Sequence, residues 1–376
     1  AHLERSPDER LESRRGTFVG HGPPEGRLAF LFPGQGSQVL DMGAELATRF
    51  RAALSVWDRA ADLEFEGEAL HRVVFPPSAF RDEDGETQQA RLTRTEWAQP
   101  ALGATSLAAL EVLRSAGVAP EMVAGHSFGE LTALTAAGAL SVEDLLKAAR
   151  TRGELMAAAA ETPGAMLAVS APIETVRALA ERISPALEVA NHNAPEQVVL
   201  AGPVDVVDSA AERLKEEGLS GRKLNVASAF HSRIVAGAQA PFAAALSEIP
   251  FSAPRVPVYG NVDAAPHGAD PDGIRAKLVA QLTAPVEFVR MIEAFHDDGA
   301  LPFVDVGPGA VLSGLVLRIL RRDASVLSFD RRGQPALRTA FSTLAGIAIR
   351  GHRVDFAALM AEYEHPEDPS ARPKAR

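Results

Sequence analysis

Short apolar runs alternate along this chain with longer stretches in which apolar positions recur at helical spacing, a pattern that predicts alternating strands and helices. Residues 28–32 (LAFLF), 122–124, 256–260 and 302–306 read as buried-type strands. Residues 102–116 and 142–156 carry helical periodicity, and 130–140 (ELTALTAAGAL) reads as a helix of small residues that packs without crowding. Residues 76–93 are polar and broken by proline and glycine, which predicts a surface loop. The stretch 1–26 reads as a linker closing on Pro23-Pro24-Glu25-Gly26. Beyond residue 331 one helix is expected over 336–350, then an extended stretch at 354–356 and a Pro-rich charged tail. No internal repeat is visible.

From Pro163 the pattern changes. Strand 165–171, helix 174–183, strands 187–191 and 197–201, helix 204–217 and strand 222–227 follow in turn, with Asn193-Ala194-Pro195 joining the middle strands. That βαββαβ order is the ferredoxin-like split unit. It is inserted in a longer α/β chain that resumes near Ala229. The expected boundaries are therefore 27–162 and 228–330 for the large unit, 163–227 for the small one, and 1–26 and 331–376 for the flanks.

Composition narrows the possible chemistry. With 376 residues, 46% hydrophobic and 23% charged, the chain can bury a large core. It has no cysteine, which removes disulfides, thiolate metal sites and a cysteine nucleophile. A net charge of −11 argues against general nucleic-acid binding. No apolar run approaches the ~20 residues that span a bilayer. Residues 1–16 are charged throughout, unlike a secretory leader, so the expected compartment is the cytoplasm.

Gly125-His126-Ser127-Phe128-Gly129, between a predicted strand and helix, can form a nucleophile elbow. Glycine-flanked serines also occur in ordinary turns. A serine hydroxyl needs a positioned base. Of the ten histidines, His2, His21, His267 and His365 sit in polar or loop contexts that suit solvated surface roles. His126 should leave the elbow in another direction from the serine, in a structural or substrate-contact role. His231 lies where the inserted unit rejoins the main body, a place that could be the lip of a cleft. Arg152 on the helix after the elbow could be a surface arginine like Arg150, or a ligand for an anionic group.

Three segments carry a specific resemblance: Phe32-Pro33-Gly34-Gln35-Gly36-Ser37-Gln38, Gly125 to Glu130, and Ala229-Phe230-His231-Ser232. Gln99-Pro100-Ala101-Leu102, Arg152-Gly153-Glu154-Leu155-Met156 and Val306-Gly307-Pro308-Gly309 extend it. Together they resemble the malonyl-coenzyme A:acyl carrier protein transacylases, and within them the acyltransferase domains of type I polyketide or polyunsaturated fatty acid synthases. The resemblance covers roughly residues 27–330, and the flanks resemble the linkers after a ketosynthase and after an acyltransferase domain.

It implies an α/β-hydrolase-like large subdomain, an inserted ferredoxin-like small one, and an active site between them. Ser127 would be the nucleophile, His231 the general base, and the Gln281 backbone carbonyl the group that orients the histidine. The backbone N–H groups of Gln35 and Phe128 would form the oxyanion hole. Arg152 would bind the free carboxylate of the substrate, and Phe230 and His126 would bear on selectivity. The implied substrate is malonyl-CoA, with no bound cofactor and no metal. The implied acceptor is the phosphopantetheine arm of an acyl carrier protein domain. Neighbouring ketosynthase and other synthase domains would be partners, with no nucleic acid and no membrane.

Ser228 departs from the histidine usual at its place, and Phe128 from a smaller aliphatic residue. A serine hydrolase or editing thioesterase could use the same dyad, and a non-catalytic scaffold domain is the other alternative. Two weaker signals remain. Arg318, Arg321 and Arg322 form a basic cluster that suits a solvated face or an acidic carrier domain. Asp208-Ser209 looks like a phosphopantetheine attachment pair but falls inside a predicted helix.

Overall fold

The computed structural model describes residues 10–13, 16–159, 163–224, 226 and 228–363. His2, His365, the first nine residues of the expected linker, Ala227 and the charged tail from 364 lie outside the described residues.

Strand β1 (Arg27–Phe32) runs through the middle of a parallel sheet, and its residues from Leu28 onward are all buried. With β2 (Met122–Gly125), β7 (Val258–Tyr259), β8 (Ala300–Asp305) and β9 (Val326–Ser328) it forms the order β7-β2-β1-β8-β9, every pair parallel. The pleat sends Leu28, Phe30 and Phe32 into one core, and Ala29 and Leu31 into another on the opposite face. A strand covered on both faces has no polar side to show, which is why this run lacks alternation.

Helices α1 (Thr95–Ser115) and α3 (Val142–Ala158) contribute to the first core, and α2 (Gly129–Ala136) follows β2 directly. Helix α1 starts several residues before its apolar periodicity becomes visible. Pro100 lies inside it and cannot donate to the Glu96 carbonyl; Arg150 Nη1 reaches that oxygen instead at 3.4 Å. On the second face α6 (Phe288–Asp297) supplies Phe288, Met291, Ile292 and Phe295, and α7 (Val311–Leu320) supplies Leu312, Leu315 and Val316.

The inserted unit is a separate antiparallel sheet. Strands β3 (Gly164–Ser170), β4 (Glu188–Ala194), β5 (Gln197–Pro203) and β6 (Ser220–Lys223) lie in the order β6-β3-β5-β4. Helices α4 (Ile173–Ile183) and α5 (Val204–Glu216) pack on Leu167, Val169, Val198 and Leu200. Met166, Val199 and Ala201 belong to the first core of the large unit. The two units are tied through Val286, whose N–H donates to Ala190 O and whose carbonyl accepts from His192 N, each at 2.9 Å. Asp208-Ser209 lies within α5, with Asp208 held by Lys223.

Two expectations change. Residues 82–93, read as part of a loop, form a helix (Asp82–Thr93) in which only Leu92 is buried. With one buried position there is no periodicity to read, while Asp82, Glu83 and Asp84 favour the positive end of the helix. Phe356 opens a short helix (Phe356–Glu362) instead of ending an extended stretch, because the Asp355 carboxylate accepts from Ala358 N at 2.9 Å. Within the expected linker, Leu11–Glu12 pairs with Phe18–Val19, and Arg10 Nε donates to Ile349 O at 3.0 Å. No helix among the described residues is long and apolar enough to cross a membrane.

Candidate active site

The strand-to-helix turn after β2 is too tight for side chains at its flanks. A Cβ on Gly125 would lie 2.0 Å from the Gly129 backbone, and one on Gly129 would lie 2.1 Å from Phe32 O. Ser127 between them has φ 51°, a left-handed conformation that a non-glycine residue adopts only when its surroundings impose it. Asn261 imposes it here. Its Oδ1 accepts from Ser127 N and its Nδ2 donates to Gly125 O, both at 2.6 Å.

Ser127 Oγ lies 2.7 Å from His231 Nε2. His231 is itself at φ 57° and is buried. Its Nδ1 faces two carbonyl oxygens, Gln281 O at 2.9 Å and Ala284 O at 3.2 Å. Carbonyls only accept, so Nδ1 carries the hydrogen and Nε2 presents a lone pair to the serine hydroxyl. No carboxylate is needed to set this tautomer.

Burial, then the charge of Arg152, pushes the His231 pKa down to about 3, against the pull of the two carbonyls. An imidazole serves as a base only when neutral, so if Ser127 depends on this ring its reactivity should persist well below the ordinary 6.5 and fade only as pH drops towards the depressed value. The rate at which a fluorophosphonate labels Ser127 should trace this limb; an inflection near 6.5 would contradict the arrangement.

Arg152 is 2% exposed on α3, with its guanidinium beside the dyad. Nη1 donates to Gln99 Oε1 at 2.8 Å, and Nη2 to Gln281 Oε1 at 3.1 Å and Ser127 Oγ at 3.5 Å. Among the described residues it forms no ion pair; its hydrogen-bond acceptors are neutral. Burial pulls its pKa down to about 10, opposed by the more distant Glu130 carboxylate. The guanidinium therefore stays charged at neutral pH. A guanidinium so placed, with neutral acceptors around it, has the chemistry to bind an anion.

The remaining expected residues converge as well. Gln35, Phe128, His126 and Phe230 line, with Ser127 and Arg152, a cavity of about 150 Å³, whose other wall includes Met166 and Val199 of the small sheet. A Cβ on Gly34 would lie 2.4 Å from His126 O, so the loop carrying Gln35 abuts the elbow closely. Phe128 is buried, and Gly103 on α1 makes room for its ring; a Cβ there would meet Phe128 Cζ at 3.2 Å. His126 turns away from the dyad, with Nε2 2.7 Å from Asn193 Oδ1 of β4 and its ring 5.3 Å from that of Phe288. It ties the elbow to the small sheet. Arg318, Arg321 and Arg322 are exposed at the end of α7, and Arg318 reaches Gln197 Oε1 at 2.6 Å.

Two surface assignments are overturned. Arg150 is buried, stacked 4.5 Å from the Trp97 ring and paired with Glu66 and Glu154. His267 is also buried, with Nε2 2.7 Å from the Glu130 carboxylate. The chain loops back from β7 and places it beneath the elbow, which its polar sequence neighbours do not reveal. Sequence reasoning also missed Asn261, Glu130 and the side chain of Gln281. Only Glu130 carried a signal, standing three residues after the serine on the inner face of α2.

A family model described as the acyl transferase domain matches residues 29–364. The malonyl CoA-acyl carrier protein transacylase of Bacillus subtilis is 37% identical over 310 residues, covering 81% of this chain and 94% of that protein. Polyketide synthase GfsA of Streptomyces halstedii is 35% identical over 370 residues; these cover 96% of this chain but only 5% of the synthase. Among solved structures, the acyltransferase domain from the second module of the salinomycin polyketide synthase superposes with a TM-score of 0.79 at 35% identity, covering 89% of this chain and 76% of that one.

Proposed function

The chain belongs to the acyl transferase domain family, and on that premise we propose that it carries a malonyl group from malonyl-CoA, through an ester on Ser127, to the phosphopantetheine thiol of an acyl carrier protein. The observation that carries this reading is Arg152: a buried cation with neutral partners, 3.5 Å from the serine oxygen. A planar guanidinium grips a carboxylate through two parallel hydrogen bonds, and malonyl thioester has one carboxylate free.

The chemistry follows from the tautomer. As Ser127 Oγ attacks the thioester carbonyl, its proton passes to His231 Nε2, and the Gln281 and Ala284 carbonyls stabilise the resulting imidazolium. The negative charge that develops on the carbonyl oxygen is received by the backbone N–H groups of Gln35 and Phe128. Ser127 N is already committed to Asn261. Collapse breaks the carbon–sulfur bond, and the departing thiolate takes the proton from His231. The carrier thiol then gives its proton to Nε2 and attacks the ester, and Ser127 leaves with that proton restored. Kinetics of this kind are ping-pong.

Phe230 supports a preference for an unsubstituted malonyl group, because its ring fills space beside the dyad that an α-methyl would need. One methyl is worth only ~1–3 kcal/mol, so a preference results rather than exclusion. The βαββαβ order and the strand–serine–helix turn support reading the two units as ferredoxin-like and α/β-hydrolase-like, bounded near 163–227 and 27–162 with 228–330. The flanks are then linkers to a ketosynthase and other synthase domains in the cytoplasm.

Intact-mass measurement after exposure to malonyl-, methylmalonyl- and acetyl-CoA tests the reading. A malonyl adduct should dominate and should persist until a carrier protein is added. Prompt loss of the adduct to water would make the protein a hydrolase, and failure of every donor would make it a scaffold.

A further inference from the structure

Beneath the elbow lies a hydrogen-bonded cluster whose members do not line the cavity but bond to Ser127 and Arg152, which do. Glu130, 0% exposed, accepts at Oε2 from Asn261 N at 2.9 Å and Gln281 Nε2 at 2.6 Å. Its Oε1 faces His267 Nε2 at 2.7 Å, and a carboxylate can only accept, so the histidine donates. Gln281 spends both ends of its side-chain amide and its backbone carbonyl on the site. Its backbone carbonyl holds His231, its Oε1 holds Arg152, and its Nε2 bridges Ser127 O at 3.1 Å and Glu130. The position of the Glu130 carboxylate therefore sets the base and the substrate cation together.

His267 is the part of this cluster that comes from outside the catalytic segments. The loop that carries it is fixed by backbone bonds from Gly260 N to Ala265 O at 3.0 Å and from His267 N to Val258 O at 2.8 Å. Its closeness to Glu130 is built in: a Cβ on Gly260 would lie 3.3 Å from His267 Nε2 and 3.5 Å from Glu130 Oε1. Resting on the transfer reaction above, we propose that His267 is a positioning residue: through Glu130 it holds Gln281 in the one orientation that serves both His231 and Arg152.

The test compares His267→Phe, which fills the space without a donor, with His267→Gln, whose amide can still donate to Glu130. Acylation of Ser127 is followed by quenched-flow mass measurement with malonyl-CoA and acetyl-CoA, beside the melting temperature. His267→Phe should slow malonyl loading by about tenfold to a hundredfold, the scale of a small misplacement at a reacting centre. It should also lower the malonyl-to-acetyl ratio, because Arg152 is misplaced with His231; a purely structural residue would leave that ratio unchanged. His267→Gln should restore most of both. Wild-type rate and ratio in folded His267→Phe overturns the proposal, as does equal loss in the two folded variants. Should His267→Phe not fold, His267→Leu, smaller and equally without a donor, takes its place beside the glutamine variant and is judged by the same outcomes. Failure of the wild-type protein to acylate would instead overturn the transfer reaction itself.

Discussion

Ser127→Ala protein mixed with malonyl-CoA should gain no mass, and transfer to a carrier protein should fall to background. The expected loss is of order 10⁶, the scale seen when a nucleophile that works as a unit with its base is removed. The geometry explains why nothing substitutes. His231 Nε2 has its lone pair aimed at one oxygen 2.7 Å away, and the elbow presents only that side chain at the required place. The alanine also fits the fold, since the strained backbone is held by Asn261 through main-chain atoms. The variant should therefore melt like the parent, and an adduct at any other residue would show that the site has been misassigned.

Arg152→Ala should separate the two kinds of donor. Malonyl loading should drop by roughly 10²–10⁴-fold, corresponding to the ~3–5 kcal/mol lost when one partner of a buried ion pair is removed. Acetyl loading, which offers no carboxylate, should change by less than about tenfold and could rise, since an empty acyl site no longer strands a cation. Removing the guanidinium also relieves one cause of the depressed His231 pKa, so the acid limb of the variant should move upward. Intact-mass kinetics with the two thioesters checks the first effect and a pH series the second. An equal loss for both donors would end the assignment of Arg152 to the substrate carboxylate.

The elements that matter most were legible because their signals are local. Residues 28–32 show a doubly covered strand in their unbroken apolar run, and the two glycines around Ser127 announce a turn that side chains would block. The βαββαβ order of the insert was legible for the same reason. Buried polar groups were not. Arg150 and Arg152 stand one turn-fraction apart on the same helix, and both are buried. One is stacked on Trp97 and paired with two carboxylates, the other meets only neutral acceptors among the described residues. Composition and periodicity around them do not separate the two; only the resemblance carried by Arg152-Gly153-Glu154-Leu155-Met156 singled out Arg152. His267 sits among residues that read as a solvated loop, yet the return of that loop places it against Glu130, 137 positions away.

Periodicity, turn chemistry and motif spacing act over a few residues, so they specify the order of strands and helices and the inventory of reactive groups without reference to the rest of the chain. Distance, burial and tautomer depend on segments that meet only after folding. Ser127 and His231 are 104 positions apart, and the carbonyls that decide which nitrogen carries the hydrogen are a further 50 and 53 away. That is why the candidate reactive groups could be read along the chain, while their alignment, their hydrogen bonding and the buried Glu130–His267 pair beneath them were decided by packing alone.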